Sequence, residues 1–459
     1  MPLKLLIIPQ VIKVIFVCFL FGVLSLANAG DVLTANTNNI EIFVDSDEED
    51  DFAEFAEDDW TDIEISLDYR GGYWRNKQTY LTDRPLNEAR VQFELDKATD
   101  YLSYSMAADF IYDDVTAAQG LDLEKGKGWL DLRGLNISFT PIAFMDVKVG
   151  RQIVTWGTGD LIFINDLFPK DWNSFFIGRK ENYLKAPSDA IKIALFNDIM
   201  NLDLVYTPLF DADRYIDGQR TSFFNPQINQ ITGTNSGLVI DQPDQFFESQ
   251  EFALRAYRNV ANYELASYGY YGYWKSPTGI NSQNAELIFP RLSVLGVSLR
   301  GPLLTGIANA EFGQYRSADD IGGTSPFIPN SEFRGLLGYE QEAMPDLTVA
   351  VQYYFRIKNQ YDNYLNAIAA NMFAENEIRH ELSVRLTGMA FSQKIRWTVF
   401  SLYAPRDEDG FMRSSLNYQQ NDHCSYSMGG MLLFGESINT DKGQFQNNDN
   451  IYIALRYAY

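Results

Sequence analysis

Apolar and polar residues alternate with a period of two along most of this chain. Ile63, Ile65, Leu67 and Tyr69 alternate with Glu64, Ser66, Asp68 and Arg70. Ala89, Val91, Phe93 and Leu95 alternate with Arg90, Gln92, Glu94 and Asp96. The pattern returns in Leu347, Val349, Val351, Tyr353 and Phe355, and again in Leu382, Val384 and Leu386. A strand throws successive side chains to opposite faces, whereas a helix groups residues three and four apart. The rhythm therefore predicts strands with one oily and one wet face. An arginine at a bilayer midplane costs about 2–4 kcal/mol, so charged faces such as those of Glu94 and Arg356 must point into water or protein.

The connections between strands predict how they assemble. Lys97 to Asp100, Asn197 to Asn201, Gly301 to Gly306 and Glu342 to Asp346 read as tight turns. Asp113 to Gly128, Thr155 to Asp189, Thr207 to Gln250 and Lys358 to Glu377 read as long loops between them. Short links alternating with long ones are the habit of up-and-down outer-membrane barrels, whose turns are periplasmic and whose loops are external. The expected fold is all-β: a closed antiparallel transmembrane β-barrel of about eighteen strands, or sixteen if the stretch from Phe411 to Phe434 holds none. Closure pairs every backbone donor and acceptor, which a lipid surrounding requires. Both termini are expected in the periplasm.

The two ends of the chain support this reading. Lys4 and Lys13, the apolar run Val14 to Leu26 and the small-x-small triplet Ala27-Asn28-Ala29 predict a cleaved signal peptide over residues 1–29. Residues 30–61 form an acidic extension and 62–459 the barrel. Thirteen acids lie between Glu41 and Glu64, interleaved with Phe43, Phe52, Phe55 and Trp60. Such a segment reads as a self-repelling tail or as a dock for a periplasmic partner. At the other end Ile451, Ile453, Leu455, Tyr457 and Tyr459 share one face. This terminal aromatic strand resembles the signal by which the barrel-assembly machinery recognises its clients, with Tyr457 and Tyr459 as its residues.

Composition narrows the classes. The net charge of -24 becomes -26 once Lys4 and Lys13 leave, which disfavours nucleic-acid partners. Aromatics reach 14% although no mature stretch has the length of an apolar spanning helix. A barrel resolves this, because aromatics gather at both membrane interfaces beside outer-membrane lipid and lipopolysaccharide. With Cys424 alone after the signal, and His380 and His423 the two histidines, neither a structural metal site nor a cofactor is expected. No Gly-x-Ser-x-Gly or His-Glu-x-x-His motif is present, so an enzyme is not expected; a barrel enzyme using Asp422 and His423 stays as a remote alternative. Asp211-Ala-Asp213 and Asp407-Glu-Asp409 read as solvated loop charge, with bridging of cations to lipopolysaccharide as the alternative.

The densest unusual stretch is Gly150-Arg-Gln-Ile-Val-Thr-Trp-Gly-Thr-Gly-Asp160, continuing through Asn165 to Lys180. The Gly150-Arg151-Gln152 start with Trp156-Gly157 resembles a stretch in bacterial porin-like outer-membrane proteins, including alginate-export-type and uncharacterised members. The resemblance covers most of the barrel and leaves out the acidic extension. It implies that this third external loop folds inward and narrows a pore. Arg151, Trp156, Asp160, Asp166, Asp171, Arg179 and Lys180 are then the expected constriction, with the acids opposed to Arg151, Lys170, Arg179 and Lys180 in a transverse field. If the charges bridge to the wall instead, they only fix the loop. Trp156, Phe168, Trp172, Phe175 and Phe176 are expected to pack on the inner wall.

Inward parity also assigns Arg90, Lys148, Arg356, Arg385 and Arg456 to the lumen. Tyr268, Tyr270 and Trp274 form either an interface belt or an aromatic slide for sugar rings. The expected function is passive passage of small polar or anionic solutes. An exporter or lipophile channel working with periplasmic machinery is the second reading.

Overall fold

The computed structural model describes residues 60–459 apart from 117–118, 226–227, 235 and 370–372. The expected signal peptide, and the acidic extension up to residue 59, lie outside the described residues. Eighteen strands form one sheet. They are β1 (Trp60–Trp74), β2 (Asn87–Ala98), β3 (Ser103–Asp113), β4 (Leu130–Ile142), β5 (Met145–Gln152), β6 (Ser188–Leu195), β7 (Asn201–Thr207), β8 (Glu251–Val260) and β9 (Tyr263–Tyr273). There follow β10 (Arg291–Leu303), β11 (Gly306–Ser317), β12 (Glu332–Met344), β13 (Leu347–Lys358), β14 (Ile378–Ala390), β15 (Ile395–Ala404), β16 (Asp409–Gln419), β17 (Cys424–Gly435) and β18 (Asn450–Ala458).

Each strand pairs antiparallel with its sequence neighbours, and β1 pairs with β18 through Leu67 opposite Tyr457 and Tyr69 opposite Leu455. The sheet is therefore closed, and eighteen strands rather than sixteen close it. The stretch from Phe411 to Phe434 supplies β16 and β17, joined at residues 420–423. Among the described residues no helix is long and apolar enough to cross a membrane.

The two-residue rhythm sets which face is which. Ile63, Leu67, Tyr69, Ile451, Ile453 and Tyr457 stand exposed on the outer wall, while Ser66, Asp68, Arg70, Tyr452 and Ala454 between them are buried inside. In β8 to β10 the outer wall carries Phe252, Leu254, Leu265, Leu295 and Val297. One end of the barrel has tight links; at Ala261-Asn262 both residues have positive φ, 50° and 69°, the backbone a two-residue hairpin of matching twist needs. Long loops leave the other end, among them residues 114–129, 153–187, 208–250 and 359–377.

A porin-type interior would hold water, yet much of this one is packed. Its main hydrophobic cluster joins Val154, Trp156, Ile162, Ile164, Phe168, Phe175 and Phe176 of the loop 153–187 to wall residues including Tyr268, Leu292, Val294, Tyr315, Leu336, Phe400 and Phe411. The loop thus occupies the barrel interior and forms its core.

Candidate functional site

Gly150 starts the inward path. Its φ is +124°, and a Cβ there would lie 2.3 Å from the Leu135 carbonyl oxygen, so only glycine lets β5 end this close to β4. Arg151 follows in register with the outward-facing Leu135 of β4, away from the expected constriction, and donates to both oxygens of Asp189, at 2.8 and 2.7 Å, with Glu124 beside it. Beyond it the chain enters the interior in two arms.

The first arm, residues 154–168, is apolar. The Trp156 ring meets Phe168 edge-on at 4.9 Å between centroids and tilts against Tyr268 at 6.1 Å. Tyr315 donates its hydroxyl to the Ile164 carbonyl. At the tip, Asp160 reaches β14 and accepts two hydrogen bonds from Arg385, each 2.6 Å. The Gln352 carboxamide, oriented to satisfy both of its ends, pairs with the Asp160 backbone at 2.9 and 3.0 Å.

Between the arms a short helix, Trp172–Phe176, is capped by Asp171, whose carboxylate accepts from Ser174 N at 2.7 Å. Phe175 packs edge-on against Phe411 at 5.4 Å. The second arm, residues 178–185, is held by charge. Arg70 of β1 donates to the Gly178 carbonyl at 2.5 Å, and Arg179 pairs with Glu88 of β2 at 2.5 Å. Arg413 of β16 donates to the Arg179 carbonyl at 2.6 Å. Tyr183 donates to Asp109 at 2.7 Å and lies between the guanidinium groups of Arg90 and Arg133, 4.4 and 4.3 Å from its ring.

Several expected partnerships differ. Asp166 does meet Lys170, at 2.8 Å. Asp160 pairs instead with Arg385, Asp171 with Arg214 at 3.4 Å, and Arg179 with Glu88. Asp160 and Arg179 thus meet charges of the wall, on β14 and β2, whereas Asp166 meets Lys170 within the loop and Asp171 meets Arg214 of the loop 208–250. Tyr268, Tyr270 and Trp274 are all buried and belong to the packed cluster, so they offer no slide to a sugar. Asp211 and Asp213 are not solvated loop charge either. Asp211 accepts from Ser188 Oγ at 2.5 Å, and Asp213 accepts from Lys170 N at 2.8 Å and Trp172 Nε1 at 3.0 Å, tying the fourth long loop to the third.

The lumen residues divide in two. Arg385 and Arg456 line an open cavity of about 390 Å³. Arg90 is sealed beneath Tyr183, paired with Glu88 and Asp109. Lys148 is buried on β5 opposite Lys192 and Ser138. Arg356 bonds Glu375 at 2.9 Å near the long-loop end of β13. Tyr457 and Tyr459 are exposed, and Tyr459 N donates to the Ile65 carbonyl at 2.9 Å across the closing seam.

The cavity is bounded by Arg179, Lys180 and Glu181 of the second arm and by β1 and β14 to β18. It gathers Arg70, Arg179, Lys180, Arg385, Arg396, Arg413 and Arg456 against Asp68 and Glu181, with Ser415, Asn417, Gln419, Ser425 and Ser427 as neutral lining. Arg413 and Glu181 are the members that strand parity and loop composition left unremarked. Arg413 was legible as an inward position once β16 is granted; Glu181 had no signal. The cavity's positive excess within so acidic a chain comes from topology, since its residues span positions 68 to 456. Of the two histidines, His380 stacks on Tyr353 at 5.9 Å and His423 sits at a tight turn with Nδ1 2.9 Å from the Ala458 carbonyl.

No family model and no curated protein matches the chain. Solved structures do. Pseudomonas aeruginosa OccK2 (OpdF), crystallised in complex with glucuronate, is 10% identical with a TM-score of 0.52, covering 88% of this chain and 98% of its own. A BenF-like porin from Pseudomonas fluorescens Pf-5 is 12% identical with a TM-score of 0.50, covering 88% and 99%. The alginate-export-type part of the resemblance has no support in these two structures. At this identity the likeness is one of architecture: the fold is the closed, eighteen-stranded antiparallel barrel of porin type.

Proposed function

We propose that the chain is an outer-membrane channel for passive passage of small polar, chiefly anionic, solutes, with loop 153–187 as its constriction and both termini in the periplasm. The observation that carries this reading is the cavity beside the loop, where seven basic side chains face two acidic ones. Arg70, Arg179, Arg385 and Arg456 pair with Asp68, Glu88, Asp160 and Glu64, but the Lys180 side chain makes no ion pair or hydrogen bond among the described residues, and Arg413 donates to the Arg179 carbonyl while its Nη1 is buried with no partner. Uncompensated cations in a partly desolvated cavity attract anions and repel cations at a range set by the Debye length, about 8 Å at physiological salt. Hydroxyl and amide groups along the same wall can replace hydration of a sugar or acid as it passes.

The test is reversal potential across a planar bilayer with a salt gradient, using refolded mature protein. Anion preference is expected, and clear cation preference would sink the proposal. Because OccK2 was crystallised with glucuronate, a carboxylated sugar is the first solute to try. Glucuronate should interrupt the current at concentrations where glucose does not.

A further inference from the structure

On β11, one strand position breaks the pattern of paired charges inside the barrel. Glu311 is almost fully buried, at 1% exposure, yet no lysine or arginine forms an ion pair with it among the described residues. Its hydrogen-bond donors come from the tip of the first arm. The Thr158 N–H donates to Oε1, and Asn165 donates to Oε2 twice, from its backbone N at 3.3 Å and its side-chain Nδ2 at 3.0 Å. Gly157 turns with φ +95°, and a Cβ there would stand 3.1 Å from Oε1. The loop tip thus wraps its amide groups around one carboxylate, the concave backbone arrangement that binds anions. An isolated buried carboxylate is costly, and donors aimed at it are what let it remain charged. Asn309, also on β11, donates Nδ2 to the Thr158 carbonyl and so fixes the same turn from its other side.

We infer that Glu311 is the positioning residue of the constriction: an anion supplied by the wall, around which the tip of loop 153–187 is assembled and held in the barrel. The apolar side chains of the arm would fill the interior in several orientations, but an amide cradle has one place where its anion is satisfied. Glu311 touches no solute; it acts through the loop. This rests on the channel reading only for its consequence in conductance, since the latch itself can be tested without any conduction.

Three proteins are compared in detergent, each checked for the wild-type β-barrel circular dichroism spectrum. Loop protection is read as the rate of proteolytic cutting within residues 153–187. Removing the acceptor of several charge-assisted bonds should speed cutting in Glu311→Ala by about tenfold or more, because the open form is then more populated. Formate, a carboxylate small enough for the vacated space, should slow cutting in Glu311→Ala and leave the wild type unchanged. Glu311→Gln keeps the volume and one acceptor oxygen, so it covers the case in which the alanine variant does not refold; its cutting rate should lie between the other two. Wild-type protection in either variant, or fast cutting of the alanine variant that formate does not slow, would overturn the inference. Channel recordings separate the two readings. A wild-type protein that never conducts removes the channel proposal while the latch result stands.

Discussion

Residues 154–168 meet the barrel wall through Trp156, Ile162, Ile164 and Phe168, set among Tyr268, Leu292, Val294 and Leu336. Residues 178–185 of the same loop meet it through Arg179, Glu181 and Tyr183, set among Glu88, Asp109, Arg385 and Arg413. The first arm gains about 1.5–3 kcal/mol for each large side chain taken from water and has nothing to offer a solute. The second gains less per contact, because each ion pair must first be desolvated, and it leaves net positive charge beside open space. On the proposed channel reading, one arm secures the loop and the other meets the solute. A single inserted segment can serve both ends because its two arms face different parts of the wall.

The sharpest way to break this comparison is Trp156→Ala. It empties the centre of the apolar arm and should cost about 3–5 kcal/mol, seen as a lower Tm in detergent and as a larger, noisier single-channel current. Unchanged current with the expected Tm loss would mean that the apolar arm does not set the aperture. Arg385→Ala comes next, because Arg385 ties the tip of one arm to the start of the other through Asp160 and Glu181. Both partners are partly exposed, so the stability loss should be only about 1 kcal/mol, but anion preference should fall as well. Lys180→Glu should leave the stability within about 0.5 kcal/mol of wild type. Its effect is on selectivity: the cavity's charges become six basic and three acidic, and the reversal potential should move toward the cation side.

The smallest effect sharpens the boundary of the loop rather than its arms. Burial pushes the Asp211 carboxyl up to about 7, against the lowering influence of Ser188 and Lys275. Between the unfolded value of about 3.9 and this one, the folded protein holds a proton that the unfolded chain has released. Stability from this group is therefore fullest at the acid end and declines as pH rises toward 7. Asp211→Asn should flatten that decline in a series of melts from about pH 5 to pH 8, and should stabilise the protein most at the upper end. An identical slope in both proteins would assign the pH dependence to another group.

Much of the candidate site could be anticipated, but not its wiring. The glycines at 150 and 157, the aromatic run from Trp156 to Phe176 and the length of the loop all marked 153–187 as unusual, and the structure puts that aromatic run in the barrel's core. Inward parity likewise named Arg385 and Arg456, which line the cavity. The same parity also named Arg90 and Arg356, whose charges are used up by Glu88, Asp109 and Glu375. Parity reports which face a residue occupies and says nothing of what lies over it. Glu311 gave no sign at all, because one acid on a wet face looks like any other.

The chain's two-residue rhythm and the spacing of its turns were enough, alone, to specify strands, their order and a closed cylinder, since a strand's faces and a hairpin's register are local properties. Only the folded molecule could decide which half of the interior is dry, which arginines stay available and which carboxylate holds the loop. Those outcomes depend on residues more than a hundred positions apart meeting inside one cylinder, as Asp160 and Arg385 do, and no local pattern encodes a distance that only closure creates.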